Sequence, residues 1–175
     1  MSLSLLIKNA AAFAKECHKH QTRKTGEPYF THPEGVARIV AEWTHDPHLI
    51  AAAYLHDVIG DCGRDYEDLL ERFGRRVARY VSLLSRDFRK PKAQSLQEYR
   101  KVLRRAPPTV KLIAAADMLH NAITPAGKEF MVRWFKKMKK NLKAVTEGKL
   151  GIYRSTIQEL RKRIREAEER FENTQ

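Results

Sequence analysis

No apolar run in this 175-residue chain approaches the length of a membrane span, so a membrane partner is not expected. Cysteine is scarce. Cys17 and Cys62 do not make a disulfide framework, and a reducing cytoplasm is the expected compartment. With seven prolines and eight glycines, a long disordered segment is excluded. Met1 to Ala14 is apolar in part but has neither a basic leader nor a cleavage site, so no secretion signal is read there. There is no β-alternating run, no internal repeat and no low-complexity segment. The strand, glycine-rich turn and helix of a dinucleotide or P-loop site are missing too.

Acidic residues are in deficit: 21 Asp and Glu face 34 Lys and Arg, for a net charge of +13. Such a field attracts polyanions without saying which. Much of the excess falls between Lys128 and Lys149, where eight basic and two acidic residues leave a net of +6. A solvated helix face is the first reading of such a run. Nucleic-acid binding through Lys136, Lys137, Lys139, Lys140 and Lys143 is a rival without a recognisable motif, so a nucleic-acid partner is not expected.

What remains reads as one all-α domain over residues 1–175, its long basic helices covering about 129–171. Leu3, Leu6, Ile7, Ala10, Phe13, Ala14 and Cys17 recur at three- and four-residue spacing, the pattern of an amphipathic helix. Gly26 and Pro28 break it. Pro33 suits a helix start, with Val36, Ile39, Val40 and Trp43 continuing the apolar face. Asp46-Pro47 predicts the start of a helix that carries His56-Asp57 and ends at Gly60. Two shorter helices are expected on either side of Gly74, then a basic loop over Arg86 to Ser95. A further helix runs from Thr109 to Asn121, and two basic ones from Glu129 to Thr146 and Ile152 to Phe171. The last reads as a salt-bridged solvent face, with a contact in a homo-oligomer as a second reading.

His56 and Asp57 stand side by side in the apolar run Ile50 to Ile59, where burial is costly without a partner. A divalent metal is such a partner. His32, in Thr31-His32-Pro33, and Asp117, after Ala114-Ala115-Ala116, extend the set to two histidines and two aspartates. That shell suits a first-row metal able to activate water. Any one of these residues alone is more simply structural. Cys62 lies near the set in sequence and reads as an ordinary buried thiol. His18 and His20 are expected near a helix end, where an imidazolium favours the dipole. His45 and His48 look exposed, and His120 reads as structural or as support for the ligands.

Three stretches carry a resemblance: Arg23-Lys24-Thr25-Gly26-Glu27-Pro28-Tyr29-Phe30-Thr31-His32-Pro33, Ala53-Tyr54-Leu55-His56-Asp57-Val58-Ile59 and Ala116-Asp117-Met118-Leu119-His120-Asn121. Phe73-Gly74-Arg75-Arg76-Val77-Ala78 supports them. From about Ala10 to Thr124 the chain resembles the HD-domain phosphohydrolases, and among them the alarmone (ppGpp) hydrolases of the RelA/SpoT type. The resemblance implies an HD-domain helical bundle. It implies Mn²⁺, or another first-row divalent metal, on His32, His56, Asp57 and Asp117. Arg23 and Lys24 match residues around the base of the nucleotide, and Asn121 and Thr124 match residues near its ribose and phosphates. The implied reaction removes the 3′-pyrophosphate of guanosine tetra- or pentaphosphate, a small-molecule partner.

One position departs from the pattern. The family usually reads His-Asp, two apolar residues, then Glu-Asp; here the string is His56-Asp57-Val58-Ile59-Gly60-Asp61. Gly60 stands where a glutamate is thought to position and deprotonate the attacking water, leaving Asp61 beside His56 and Asp57 as the catalytic set. Three consequences are open: hydrolysis through Asp61, a different nucleotide or phosphoester as substrate, or an alarmone-binding protein of weak activity.

Overall fold

A computed structural model describes residues 3–173. Met1, Ser2, Thr174 and Gln175, the ends of the expected 1–175 unit, lie outside the described residues. Among those described, the chain is helical apart from connecting loops and one isolated bridge between Thr22 and Pro28. The helices are α1 (Leu3–Cys17), α2 (Thr31–Ala41), α3 (Pro47–Leu55), α4 (Val58–Asp61), α5 (Tyr66–Leu84), α6 (Lys92–Arg105), α7 (Pro108–Ile123), α8 (Lys128–Thr146) and α9 (Arg154–Asn173).

The centre of the packing is α7. Every residue from Val110 to Ala116 is buried. A helix that is apolar all round must be covered on all sides, and α2, α5, α8 and α9 supply the cover. Lys111 lies fully buried in this run, and its ammonium donates to the Glu147 carbonyl at the end of α8. The last helix is a core element. It buries Ile157, Leu160 and Ile164, while Arg163 pairs with Glu42 at 3.1 Å and Glu168 with Lys139 at 2.9 Å.

The predicted helices form, with four differences. The run expected to be one helix through His56-Asp57 is broken there, between α3 and α4. Gly60 lies inside α4; the left-handed residue that follows this helix is Gly63, at φ 64°. α6 starts at Lys92, inside the loop expected over Arg86 to Ser95, and runs on to Arg105 through residues given no element, because its sequence is polar and buries fully only Ser95 and Leu103. Trp43 lies past the end of α2 and is 36% exposed.

The break expected near Gly74 occurs as a kink in α5, with Gly74 at φ 78° and ψ 166°. That backbone region is essentially open to glycine alone. No neighbouring atom lies within 4 Å of a Cβ built at this position, so a substitution there tests backbone strain without a clash. Gly74→Ala is expected to lower stability by about 1–3 kcal/mol, read as an earlier denaturant midpoint at unchanged slope. An unmoved midpoint would contradict the strained geometry.

Candidate active site

Four elements converge on one point. His32 enters from the first turn of α2, His56 and Asp57 from the break between α3 and α4, and Asp117 from α7. His56 is buried, and its Nδ1 lies 2.8 Å from the Ala53 carbonyl. The N–H at Nδ1 donates there, which directs Nε2 into the cluster. Nε2 is fully buried without a hydrogen-bond partner and lies 3.2 Å from Asp57 Oδ2. His32 Nε2 is 3.1 Å from Asp117 Oδ1 and 3.7 Å from Asp57 Oδ2. Ligand atoms of His32, His56 and Asp57 all lie within 4.8 Å of one another. The orphaned Nε2 and the mixed nitrogen and oxygen donors fit a divalent metal.

The charges are mutually dependent. Burial opposes a charged imidazolium at His56, but the Asp57 carboxylate and then Asp117 outweigh it and lift the pKa to about 9. Burial alone would raise the Asp57 carboxyl; His56 and His32, with the Tyr29 hydroxyl, hold it well below the usual range instead. His120 supports the site from behind, with Nδ1 3.0 Å from Nδ1 of His32. Burial, and then the charge of His32, push its pKa down to about 4, so the neutral ring can accept from His32. Gly35 leaves room for it, since a Cβ there would overlap the His120 ring.

Asp61 ends α4 and reaches the cluster through a residue to which the sequence reading gave no role. The Tyr29 hydroxyl shares its one proton between two carboxylates, with Asp57 Oδ2 at 2.7 Å and Asp61 Oδ2 at 3.0 Å. Burial, then Asp57 and Asp61, raise the phenol above its ordinary value, so it remains a donor. Burial, then Asp57, also raise the Asp61 carboxyl. The Tyr29 ring stacks on His18 with centroids 4.7 Å apart. His18 lies just past the end of α1, as expected, and is buried there, with Nδ1 2.7 Å from Gln21 Oε1. Cys62 Sγ lies 3.3 Å from His18 Nδ1. Burial, with Cys17, pushes this thiol up to about 12, so it stays protonated at neutral pH.

Two cavities meet at the centre. One, of about 400 Å³, is lined by Arg23, Lys24, Tyr29, Asn121, Thr124 and Phe130. Arg23 Nη2 donates to Asn121 Oδ1 at 3.2 Å and to Thr124 Oγ1 at 3.1 Å, while Asn121 Nδ2 donates to Asp117 Oδ1 at 2.7 Å. Arg23, Asn121 and Thr124 thus form one network tied to Asp117. Lys24 stands apart, its ammonium 3.6 Å from the centre of the Phe130 ring. The other cavity, of about 270 Å³, is lined by Gly60, Arg86, Phe88, Trp134 and Lys137 among others. Of these only Gly60 was singled out for the site in sequence, because the rest carry no motif.

An HD domain family model matches residues 10–134. The chain is 42% identical over 121 residues to a guanosine-3′,5′-bis(diphosphate) 3′-pyrophosphohydrolase of Aquifex aeolicus, covering 67% of this chain and 17% of that protein. It is 38% identical over 124 residues to the bifunctional (p)ppGpp synthase/hydrolase SpoT of Escherichia coli, covering 67% and 18%. The chain thus spans less than a fifth of these curated relatives. A solved structure of a metazoan ortholog of SpoT, described as hydrolysing ppGpp, superposes with a TM-score of 0.73 at 26% identity, covering 89% of this chain and 95% of the other. A Listeria monocytogenes structure, lmo0812, shares the fold at a TM-score of 0.62 and 22% identity, covering 79% and 94%.

Proposed function

The chain belongs to the HD-domain family, and on that premise we propose that it is a metal-dependent 3′-pyrophosphohydrolase of guanosine tetra- or pentaphosphate. The observation that carries this reading is the convergence of His32, His56, Asp57 and Asp117 where two cavities meet, with the Arg23–Asn121–Thr124 network on one wall. The names of the relatives support the substrate.

In this proposal His32, His56, Asp57 and Asp117 would hold one divalent metal, Mn²⁺ or another first-row ion, which would supply water activation and offset phosphoryl charge. Asp61 orients and deprotonates the attacking water. Tyr29 holds the Asp61 carboxylate beside Asp57 by sharing its one hydroxyl proton between them. Arg23 and Lys24 receive the nucleotide around its base, and Asn121 and Thr124 contact ribose and phosphates. Water attack at the phosphorus on O3′ breaks the P–O3′ bond and gives GDP and pyrophosphate from guanosine tetraphosphate. The whole chain acts as one HD-type unit. A cytoplasmic compartment is part of the same proposal; among the described residues no helix is long and apolar enough to cross a membrane.

The test is incubation with ppGpp and Mn²⁺, with products separated by chromatography. GDP and pyrophosphate are expected, and Asp57→Ala should abolish them. Product formation unchanged by Asp57→Ala would sink the metal assignment, and no product from folded, metal-loaded protein would sink the substrate.

A second reading, slow turnover or another nucleotide, is favoured by Gly60. A Cβ at this position would meet Phe88 Cε2 at 2.9 Å, so the ring occupies the space into which a glutamate side chain would start. Restoring the carboxylate therefore requires Phe88 to move. Phe88 is 55% exposed and can swing aside, so Gly60→Glu alone is expected to gain part of the rate. Gly60→Glu combined with Phe88→Ala is expected to raise the hydrolysis rate on the order of 10²-fold, the lower end for supplying a missing general base. A double variant no faster than Phe88→Ala would overturn the part assigned to Gly60.

A further inference from the structure

The chain has two cysteines, and the fold sets both of them at the end of α1. Cys17 is the last residue of α1, and Cys62 is the residue after α4. Both are half-buried free thiols. Cys17 precedes His18 in the chain, while Cys62 faces the same ring across space, its Sγ 3.3 Å from Nδ1 and 3.7 Å from Nε2. Arg64, two residues beyond Cys62, lies over the Phe13 ring, 5.5 Å from its centroid. Phe13 and Cys17 are four apart on α1 and share a face. The guanidinium reaches Cys17 on that face: a hydrogen bond to this sulfur, then its charge, raise the Arg64 pKa, and Cys62 acts in the same direction. The turn from Cys62 to Arg64 thus clasps the end of α1 and brings one thiol to the other.

The two thiols have different surroundings. Cys17 has an arginine against it and is partly exposed, the kind of setting in which thiols react. Cys62 has a base. The N–H at Nδ1 of His18 donates to Gln21 Oε1 at 2.7 Å, which leaves Nε2 to take a proton from Cys62 when its sulfur attacks. The turn has room to follow the sulfur, because Gly63, at φ 64°, has no neighbouring atom within 4 Å of a Cβ built on it. Each thiol is also one residue from a group that sets Asp61. Cys62 follows Asp61, whose carbonyl accepts from Gln21 Nε2 at 2.8 Å. Cys17 precedes His18, whose ring stacks on Tyr29, and the Tyr29 hydroxyl holds Asp61.

We propose that Cys17 and Cys62 are a peroxide-sensitive dithiol, and that closing it to a disulfide draws Asp61 off Tyr29. Hydrogen peroxide oxidises the Cys17 thiol to a sulfenic acid and is itself reduced to water. The Cys62 sulfur then attacks the Cys17 sulfur and the S–O bond breaks. The hydroxide leaves as a second water, with the Cys62 proton relayed by His18. Two thiols lose two electrons and two protons, and one peroxide becomes two waters. Exchange with a reducing dithiol reverses the bond, as suits a transient disulfide in a reducing compartment. With the sulfurs bonded at about 2.05 Å, Cys62 takes its position from α1 in place of its contact with His18, and the residue next to Asp61 is reset. The effect on activity rests on reading Asp61 as the base of the hydrolase; the dithiol itself does not.

The experiment treats the full chain with hydrogen peroxide, stops the reaction with catalase and maps unreduced peptides by mass spectrometry. A peptide pair joined through Cys17 and Cys62 is expected, absent in Cys17→Ser and in Cys62→Ser and removed by dithiothreitol. Thiols oxidised singly to sulfinic acids, or joined only between chains, would overturn the dithiol. Mn²⁺ is then added and ppGpp hydrolysis measured. Oxidised wild type should be slower on the order of 10²-fold, the cost of a misplaced catalytic group, and should recover in dithiothreitol. Cys17→Ser should keep the rate of reduced wild type before and after peroxide. A joined protein that keeps the reduced rate would overturn the switch. Amide hydrogen exchange in α4 reads the same coupling without turnover: it should quicken on oxidation in wild type and not in Cys17→Ser, and unchanged exchange in joined wild type would contradict the displacement of Asp61. Inactivity of the reduced protein toward ppGpp would therefore count against the substrate and not against the dithiol.

Discussion

Inside the core, His56 donates from Nδ1 to the Ala53 carbonyl at 2.8 Å. In a continued helix that carbonyl would accept from the Asp57 amide. Giving it to the imidazole lets α3 stop at Leu55 and leaves His56 and Asp57 at the junction with α4. The same bond leaves Nε2 as the ring atom that faces the carboxylates, buried and without a partner of its own. The other groups are arranged around it. His32 is steadied by His120, Asp117 by Asn121, and Asp57 by Tyr29. Outer contacts of this kind fix the orientation and basicity of metal ligands.

How much of this was legible in the sequence depended on the type of signal. α1 shows apolar residues at three- and four-residue spacing, and its helix forms where the periodicity puts it; α9 was read from its charges as a solvent face, yet Ile157, Leu160 and Ile164 carry it into the core. α6 has too few apolar residues to show a face, and it is held between α5 and α8 by tertiary contact. The four candidate ligands were visible as an ordered set of His and Asp in apolar surroundings; the fold gathers His32, His56 and Asp57 within 4.8 Å, with Asp117 Oδ1 3.1 Å from His32 Nε2. The break at His56 was not visible, because a side-chain hydrogen bond to the preceding turn leaves no periodic trace. Tyr29 was hidden for a similar reason. A single tyrosine in a loop acquires meaning only when folding sets its hydroxyl between two carboxylates from α4 and its entrance.

The chain's excess of positive charge is distributed in two ways. Part is consumed in pairs that fasten helices: Arg163 to Glu42, Lys139 to Glu168 and Arg104 to Glu147. Such exposed pairs contribute little each. Another part, Arg86 and Lys137, lines the cavity beside the site together with Asp57, Asp61 and Asp117. Gly60 and Phe88 line the same cavity, where together they replace a polar wall by an apolar one.

The central claim is that His56 Nε2 is a metal-binding atom held ready by the fold. In metal-free protein Asp57 and Asp117 raise the His56 pKa to about 9, so the ring is protonated below that pH and a metal must displace the proton. Affinity should then rise with pH up to about 9 and level off above it. Calorimetric titration of metal-free protein with Mn²⁺ at pH 7, in buffers of different ionisation enthalpy, reads both events. The account predicts about one equivalent bound with about one proton released, and loss of both in His56→Ala. Full-strength Mn²⁺ binding in His56→Ala, or binding with no proton released, would contradict it.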